Sequence, residues 1–268
     1  MHINILVIAG SDSSGGAGIQ ADIKTINNLG CHAATAITAL TAQNSQTIIK
    51  INPTAPEFIA EQIKVVCADM KINIVKIGMV YDISAYKAIF IALKENIPDA
   101  KIILDPVFIS STNKKLVNLS NDLIKYLKEE ILPQIYLLTP NLDEANMLLD
   151  KNINNIEDMK AAINLLKNFG CEAILLKGGH LQQEIIYDIL LHNNKVRVFE
   201  SKKILGKNNH GSGCSLASAI SAYLAKGNNL EVSIDKARKY VYKAIENAII
   251  PGQGIGSLNH IRDFRLEN

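Results

Sequence analysis

Residues 3–18 read INILVIAGSDSSGGAG, in which an apolar run passes directly into a glycine-rich segment. The run over residues 3–9 has the length of a β-strand. Its hydrophobicity is continuous rather than alternating, which is typical of a strand covered on both faces in a parallel sheet. Four glycines between residues 10 and 18 allow the backbone to bend sharply. The stretch therefore predicts a strand, a tight turn and a following helix.

Further apolar runs of strand length follow at residues 35–40, 74–78, 101–105, 135–139 and 173–177. Amphipathic stretches lie between them. Three of these stretches have the clearest helical pattern. They extend from Phe58 to Met70 after Pro56, from Asn155 to Phe169 before Gly170, and from Leu216 to Leu224 before Gly227. This alternation predicts one doubly wound α/β domain over residues 1–268, with a mostly parallel sheet and helices on both faces. Two domains are the alternative for a chain of this length.

Composition excludes several classes of protein. Of 268 residues, 48% are apolar and 20% are charged, and the formal net charge is +2. These values are typical of a globular chain, and without a run of like charges neither nucleic acid nor a membrane surface is expected as a partner. The first apolar run is too short for a signal peptide or a membrane span. Four widely separated cysteines indicate reduced thiols and a cytoplasmic location.

Residues that could bind a ligand follow several of the predicted strands, where ligands bind in doubly wound sheets. The glycines of residues 10–18 match neither the dinucleotide fingerprint nor the phosphate-binding P-loop, so a plain turn and a ligand loop both remain open. Lys177 stands before Gly178 and Gly179 and suits contact with phosphate oxygens, with a solvated turn lysine as the alternative. His180, next to them, is interpreted as an ordinary loop residue.

Asn141 and Glu144 follow the run at 135–139, and their spacing has two interpretations. Asn at an N-cap with Glu three residues later is the pattern of a capping box, which is common. A carboxylate at this place could also serve Mg²⁺ beside phosphate groups. The pattern alone favours the cap.

Residues 209–215 read NHGSGCS and run directly into the predicted helix with Leu216. Glycines at a helix N-terminus expose backbone N–H groups and the positive end of the helix dipole to an anion. Cys214 lies in the first turn, where the same field is expected to stabilise its thiolate and lower its pKa. The alternative is a tight turn with a buried cysteine, but two glycines before a helix are costly without a function.

Together these motifs resemble the hydroxymethylpyrimidine/phosphomethylpyrimidine kinase family of thiamine biosynthesis, within the ribokinase-like superfamily. The resemblance extends over nearly the whole chain. It rests on IAGSDSSGGAGIQADIKT at 8–25, ITALTAQNS at 37–45, VKIGM at 75–79, LDPV at 104–107, TPNLDEA at 139–145, LLKGGH at 175–180 and NNHGSGCS at 208–215.

The resemblance implies a ribokinase-like three-layer α/β sandwich that uses ATP and Mg²⁺. It implies phosphorylation of 4-amino-5-hydroxymethyl-2-methylpyrimidine and then of its monophosphate, in a cytoplasmic homodimer. The pyrimidine-binding positions correspond to Gly10, Asp22, Gln43, Met79 and Val107. The ATP and magnesium side corresponds to Asn141 and Lys177 for the nucleotide and to Asp105 and Glu144 for the metal. The catalytic group corresponds to Cys214 as the base, Gly211, Ser212 and Gly213 as an anion hole, and Lys177.

The chain departs from the family pattern at three places. Ser13 stands where the family has proline, and Ser212 stands where it has threonine, which keeps the hydroxyl. Residues 107–113 read VFISSTN where the family pattern is VMVAKSG. The missing lysine and glycine bear on the second phosphorylation.

Two other functions remain as alternatives. A pyridoxal-type kinase would share the fold and the reaction but act on another ring, and Gln43 favours the pyrimidine. A non-catalytic protein that kept the binding pocket is the second alternative, against which Lys177 and the glycines before Cys214 weigh.

Overall fold

The computed structural model of the chain describes residues 2–109, 116–179, 181, 184–204, 206 and 208–260. Its strands are β1 (Asn4–Asp12), β2 (His32–Gln43), β3 (Ile48–Pro53), β4 (Ile72–Ile77), β5 (Lys101–Leu104), β6 (Leu137–Leu138), β7 (Ala173–Lys177), β8 (Ile185–His192) and β9 (Lys195–Lys202). They form one sheet with the order β3-β2-β1-β4-β5-β6-β7-β8-β9.

Six neighbouring strands pair in parallel, in the order β2-β1-β4-β5-β6-β7. They correspond to the six apolar runs of the sequence. The antiparallel strands β3, β8 and β9 extend the sheet at its two edges and were not predicted. Most side chains of β3 and β9 are exposed, and Asp188 interrupts the apolar residues of β8, so none of the three has the continuous apolar run that marked the others.

Helices cover both faces of the sheet. They are α1 (Gly18–Asn28), α2 (Pro56–Asp69), α3 (Ile83–Asn96), α4 (Asn121–Tyr126), α5 (Leu142–Leu149), α6 (Ile156–Leu166), α7 (Ser212–Ala225) and α8 (Leu230–Glu246). Alternate residues of β1 belong to two separate cores: Leu6 and Ile8 pack with α2 to α6, whereas Ile5 and Val7 pack with α1, α7 and α8. The predicted arrangement of three layers is therefore present.

The predicted helices occur where their capping signals place them. Asn155 caps α6 by accepting a hydrogen bond from the Asp158 N–H, and the chain leaves this region through Gly170 with a φ of +86°. Only glycine adopts this left-handed conformation readily. Among the described helices, none has the length and apolar character needed to cross a membrane.

The carboxyl ends of the parallel strands lie along one edge of the sheet and are held together by backbone hydrogen bonds beyond the strands themselves. The Asp105 N–H donates to Ile77 O at 2.9 Å, and the Lys177 N–H donates to Pro140 O at 2.8 Å. The links that follow β1, β4, β5, β6 and β7 therefore meet above this edge, which is where the site lies.

Candidate active site

A cavity of about 270 Å³ opens above the carboxyl ends of the strands. With one exception, the site residues predicted from the sequence line it. They are Gly10, Gln43, Met79, Asp105, Val107, Asn141, Glu144, Lys177, Gly211, Ser212, Gly213 and Cys214. The exception is Asp22, which is fully buried beneath it. His180 and residues 110–113 lie outside the described residues.

The glycine-rich loop after β1 contacts the turn before α7. A Cβ atom on Gly211 would lie 1.9 Å from the Gly16 carbonyl oxygen, and Gly211 has a φ of +86°. Both the space and the backbone conformation therefore demand glycine at this position. The first and last motifs of the sequence thus form one wall of the cavity, with α7 beginning at Ser212.

Gln43 lines the cavity and is held by its neighbours. Its backbone N–H donates to Ser13 Oγ at 2.8 Å, and the Ser13 hydroxyl donates to Gln43 O at 2.7 Å. Its side-chain Oε1 accepts a hydrogen bond from Thr41 Oγ1 at 3.3 Å, and its Nε2 lies 3.5 Å from His210 Nε2. These contacts restrict the amide before any ligand binds.

Asp12 and His210 form a buried pair in the same wall, with Oδ2 of Asp12 2.9 Å from Nε2 of His210. The Asp12 carboxylate also accepts hydrogen bonds from the N–H groups of Ser14 and Ala17. Burial raises the pKa of Asp12, but the hydrogen bonds from His210 and Ser14 outweigh it and hold the pKa below its ordinary value. Sequence reasoning missed both residues, because it read these motifs for their glycines alone.

Asp105 and Lys177 meet at the centre of the cavity, where Lys177 Nζ donates to Asp105 Oδ1 at 2.7 Å. The Thr139 hydroxyl donates to the same oxygen at 3.2 Å. A Cβ atom on Gly213 would lie 3.3 Å from Lys177 Nζ, so the α7 N-terminus lies next to this pair. Burial lowers the pKa of Lys177, but Asp105 and Glu144 outweigh it and raise the pKa, so Lys177 stays an ammonium.

Asn141 and Glu144 form the predicted capping box at the start of α5. The Glu144 N–H donates to Asn141 Oδ1 at 2.9 Å, and the Asn141 N–H donates to Glu144 Oε2 at 2.7 Å. Glu144 is nevertheless part of the cavity lining. Burial raises its pKa to about 8, opposed by Lys177 and reinforced by Asp105. The side chain therefore both caps the helix and places a carboxyl group beside a second carboxylate.

Cys214 lies in the first turn of α7 and borders the cavity. The expectation that the helix N-terminus lowers its pKa is wrong for this structure. Burial raises the pKa of the thiol to about 12; Lys76 and a backbone hydrogen bond from Gly18 oppose this shift, whereas Asp22 and Asp105 add to it. Loss of solvent and two nearby carboxylates thus outweigh the Lys76 charge and the backbone hydrogen bond, which favour the thiolate.

Asp22, assigned to the pyrimidine pocket by resemblance, instead forms an ion pair with Lys76 at 2.9 Å in which both side chains have no exposed surface. The Ser218 hydroxyl donates to its other oxygen at 2.7 Å. Asp22 belongs to α1, Lys76 to β4 and Ser218 to α7. The carboxylate therefore connects α1 to β4 and α7 under the site and does not line the cavity itself.

A second cavity of about 370 Å³ adjoins the first on the side of β8, β9 and α8. Apolar side chains of Ile186, Leu216, Val241 and Ile245 form part of its lining. The residues common to both cavities are Asn141, Lys177, Asn209, Ser212 and Gly213. Two ligands could therefore meet at Lys177 and the start of α7, one from each side.

Among the described residues, no group of three or more His, Cys, Asp or Glu side chains converges as a metal site. The carboxyl groups of Asp105 and Glu144 are the acidic oxygens that the first cavity offers near Lys177, together with Asp143 at its rim. Such a sparse set suits a cation that draws further ligands from water and phosphate rather than from a protein cage.

Comparison with known proteins gives a consistent result. Residues 12–259 match the phosphomethylpyrimidine kinase family. The chain is 36% identical to the hydroxymethylpyrimidine/phosphomethylpyrimidine kinase of Escherichia coli over 97% of both proteins. It is 40% identical to the thiamine biosynthesis bifunctional protein ThiED of Geobacter sulfurreducens, where 96% of the chain matches 52% of the longer relative.

Solved structures of similar fold include kinases of two substrates. A Bacillus subtilis pyridoxal kinase in complex with ADP superposes with a TM-score of 0.87 at 29% identity, over 97% of each chain. The phosphomethylpyrimidine kinase of Clostridium difficile superposes with a TM-score of 0.78 at 35% identity, over 90% of this chain and 99% of the other. The predicted ribokinase-like fold is thereby confirmed. By sequence and by fold, the chain belongs to the phosphomethylpyrimidine kinase family.

Proposed function

We propose that the protein transfers a phosphoryl group from ATP to 4-amino-5-hydroxymethyl-2-methylpyrimidine, and then phosphorylates the monophosphate to the diphosphate. The observation that carries this proposal is the joining of the two cavities at Lys177 and the α7 N-terminus. The first cavity is lined in part by Gln43, and the second has apolar side chains in its lining that suit a nucleoside. The relatives named as kinases of this substrate support the same assignment.

The acceptor is expected in the first cavity, with Gln43 at the polar edge of its ring. A side-chain amide carries both a donor and an acceptor, which matches the mixed edge of an aminopyrimidine. Met79 and Val107 supply apolar lining, and Gly10 leaves room for the ring, because a Cβ atom there would lie 2.8 Å from Met79 Sδ. The hydroxymethyl group would then point toward Cys214.

The transfer itself requires positioning and charge stabilisation more than covalent chemistry. Backbone N–H groups at residues 211–214 and the Lys177 ammonium would stabilise the negative charge of the phosphoryl group as it moves. Cys214, as the thiolate, would accept the hydroxyl proton as the oxygen attacks. Because the pKa of the thiol is raised to about 12, we expect this help to lie at the lower end of the range for general bases.

Asp105 and Glu144 fit a hard divalent cation, since carboxylate oxygens are the ligands that Mg²⁺ prefers. The burial of Glu144 beside the cavity supports this assignment, because a buried carboxylate gains from a nearby positive charge. Mg²⁺ bound here would supply positive charge to the phosphate oxygens. Asn141 would orient the nucleotide at the boundary of the two cavities.

The family resemblance also suggests the domain organisation, the oligomeric state and the location of the protein. We propose one kinase domain over residues 1–268, because a single sheet carries both cavities. We propose a cytoplasmic homodimer that meets small molecules rather than nucleic acid or a membrane. The free thiols of Cys31, Cys67, Cys171 and Cys214 support a reducing compartment.

A pyridoxal kinase is the second candidate, because a pyridoxal kinase of 29% identity superposes over 97% of the chain. Initial rates of ADP formation with the hydroxymethylpyrimidine and with pyridoxal, each alone and in competition, test the choice. We expect a higher kcat/KM for the pyrimidine. A higher kcat/KM for pyridoxal would reverse the assignment, and ADP formation with neither substrate would indicate a protein that only binds ligands.

A further inference from the structure

Asp188 and Arg238 form an ion pair in the second cavity that the mechanism above does not use. Arg238 Nε lies 2.8 Å from Asp188 Oδ2, and the two side chains are only 11% and 10% exposed. Asp188 lies on β8, and Arg238 lies on α8. Both residues line the cavity. A charge pair this poorly hydrated is costly unless its geometry and its other hydrogen bonds are good.

The other carboxylate oxygen of Asp188 holds the backbone directly after Lys177. The Gly178 N–H donates to Asp188 Oδ1 at 3.1 Å, and Lys177 is the residue opposite Asp188 in the pairing of β7 with β8. A Cβ atom on Gly178 would lie 2.1 Å from Tyr187 O, so Gly178 packs directly against the β8 backbone. The turn after β7 is therefore held by the β8 backbone and by the Asp188 carboxylate.

The guanidinium of Arg238 donates hydrogen bonds to several protein groups around the cavity. In addition to Asp188, NH1 donates to Glu200 O at 3.4 Å, and NH2 donates to Ser201 Oγ at 3.3 Å. Both acceptors belong to β9. The planar fork of arginine suits several directed bonds at once. Arg238 thus orients Asp188 and ties it to β9 and α8.

We infer that Asp188 and Arg238 are positioning residues for Lys177, and that they set the affinity for the nucleotide rather than for the acceptor. The inference rests on the proposed function, since it takes Lys177 as a phosphate ligand. Without the Asp188 oxygen, the Gly178 N–H loses its acceptor and the turn can shift. Lys177 then meets the phosphates in a poorer geometry. Gln43 ends β2 and Met79 follows β4, both away from the turn after β7, so binding of the acceptor is affected little.

The test uses the full chain with Asp188→Ala, Asp188→Asn and Arg238→Met. Arg197→Gln is the matched control, because the Arg197–Glu231 pair also joins a neighbouring strand to α8 but is exposed. Calorimetry with the ATP analogue AMP-PCP gives a nucleotide Kd without any acceptor or turnover. Steady-state kinetics give KM for ATP and for the pyrimidine, and thermal melting ensures that each variant is folded at the assay temperature.

We expect Asp188→Ala to raise the Kd for AMP-PCP and the KM for ATP about tenfold, the effect of leaving a buried donor unpaired. The KM for the pyrimidine should change less than about twofold. Asp188→Asn keeps an oxygen for Gly178 and should recover most of the affinity, Arg238→Met should lose several-fold, and Arg197→Gln should match wild type.

Unchanged AMP-PCP affinity in folded Asp188→Ala overturns the inference, as does an equal loss for both substrates or the same loss in Arg197→Gln. If Asp188→Ala does not fold, unchanged nucleotide affinity in Arg238→Met overturns it instead. Failure of the proposed function is a separate result: wild type would bind AMP-PCP without turning over the pyrimidine.

Discussion

Gln43 has a side-chain amide that is already oriented before a ligand arrives. Its partners, Thr41 and the Asp12–His210 pair, are themselves hydrogen-bonded to the protein. A restricted amide loses little side-chain entropy on binding and discriminates between rings by the pattern of their donors and acceptors. At the scale of single residues, we therefore expect specificity for the acceptor to depend on Gln43 and on the Asp12–His210 pair.

Replacing Gln43 with leucine keeps the approximate size and removes the amide. We expect a loss of roughly 1–3 kcal/mol in binding of the pyrimidine, because its polar edge is left unpaired. The KM for the pyrimidine should rise about 5- to 150-fold, and the KM for ATP should stay near wild type. Steady-state kinetics check both values. An equal loss for ATP and pyrimidine would remove Gln43 from the acceptor site.

Burial and nearby charges together set the raised pKa of Cys214. We expect Cys214→Ala to lose a large part of kcat, and Cys214→Asp to keep more activity than alanine because it restores a base. Since the pKa of the thiol is raised to about 12, alkylation of Cys214 should be slow at neutral pH and rise about tenfold per pH unit below that value.

Mass spectrometry of the Cys214 peptide separates its alkylation from that of the partly exposed Cys67 and Cys171. Bound pyrimidine should protect Cys214 alone. Near-full kcat in Cys214→Ala with both acceptors would make Cys214 a packing residue and leave catalysis to the backbone amides and Lys177.

Glu144→Gln separates the cap of α5 from the proposed metal role, because glutamine retains an oxygen for the Asn141 N–H and loses the charge. We expect lower activity that higher Mg²⁺ concentrations partly restore. A group that only caps the helix would instead lower the melting temperature and leave the activity per folded molecule unchanged.

The raised pKa of Glu144 also gives a pH dependence for the metal-free protein. The folded state keeps a proton up to about pH 8 that the unfolded chain releases near its ordinary value. The contribution to the free energy of unfolding is therefore present at low pH and is lost as pH rises through 8. Glu144→Gln lacks this titration, so its melting temperature should fall less over the same range.

At the scale of secondary-structure elements, the buried pair of Asp22 and Lys76 connects the two glycine-rich turns. Asp22 follows the first turn on α1, and Ser218, which donates to it, follows the second on α7. Lys76 on β4 completes the contact under the floor of the cavity. The relative placement of the two turns, and with it the geometry of the anion site, therefore depends on an ion pair whose side chains have no exposed surface.

Lys76→Met leaves the Asp22 carboxylate buried without its counter-ion. We expect a loss of about 3–5 kcal/mol in the free energy of unfolding, measured by denaturant titration. The double variant Lys76→Met/Asp22→Leu removes both charges and should recover most of that stability. If the single and double variants are equally unstable, packing rather than the ion pair holds these elements together.

At the scale of the whole molecule, continuous hydrophobicity predicted the central strands and capping patterns predicted helix starts. The six central strands, the cap at Asn155 and the capping box at Asn141 follow from local patterns and occur in the structure. The antiparallel strands β3, β8 and β9 were not predicted, because β3 and β9 carry mostly exposed, mixed side chains and Asp188 interrupts the apolar residues of β8. Their pairing is set by the sheet that they extend rather than by their own sequence.

Some site residues were likewise predictable from the sequence, and others were not. Residues in glycine-rich motifs at strand ends could be found, because the topology brings those ends to one edge. The Asp12–His210 pair joins residues 198 positions apart, and the Asp188–Arg238 pair joins residues 50 positions apart. No short-range pattern encodes such contacts. The position of Asp22 and the raised pKa of Cys214 likewise depend on burial, which the motif alone does not report.

The central claim is that one site phosphorylates a pyrimidine alcohol and then its monophosphate. The most direct measurement follows the products of purified wild-type protein with ATP, Mg²⁺ and 4-amino-5-hydroxymethyl-2-methylpyrimidine by ³¹P NMR. We predict that the monophosphate forms first and the diphosphate then grows at its expense, with two ADP per pyrimidine at completion. A reaction that stops at the monophosphate would contradict the second step, and the absence of any pyrimidine phosphate would contradict the claim as a whole.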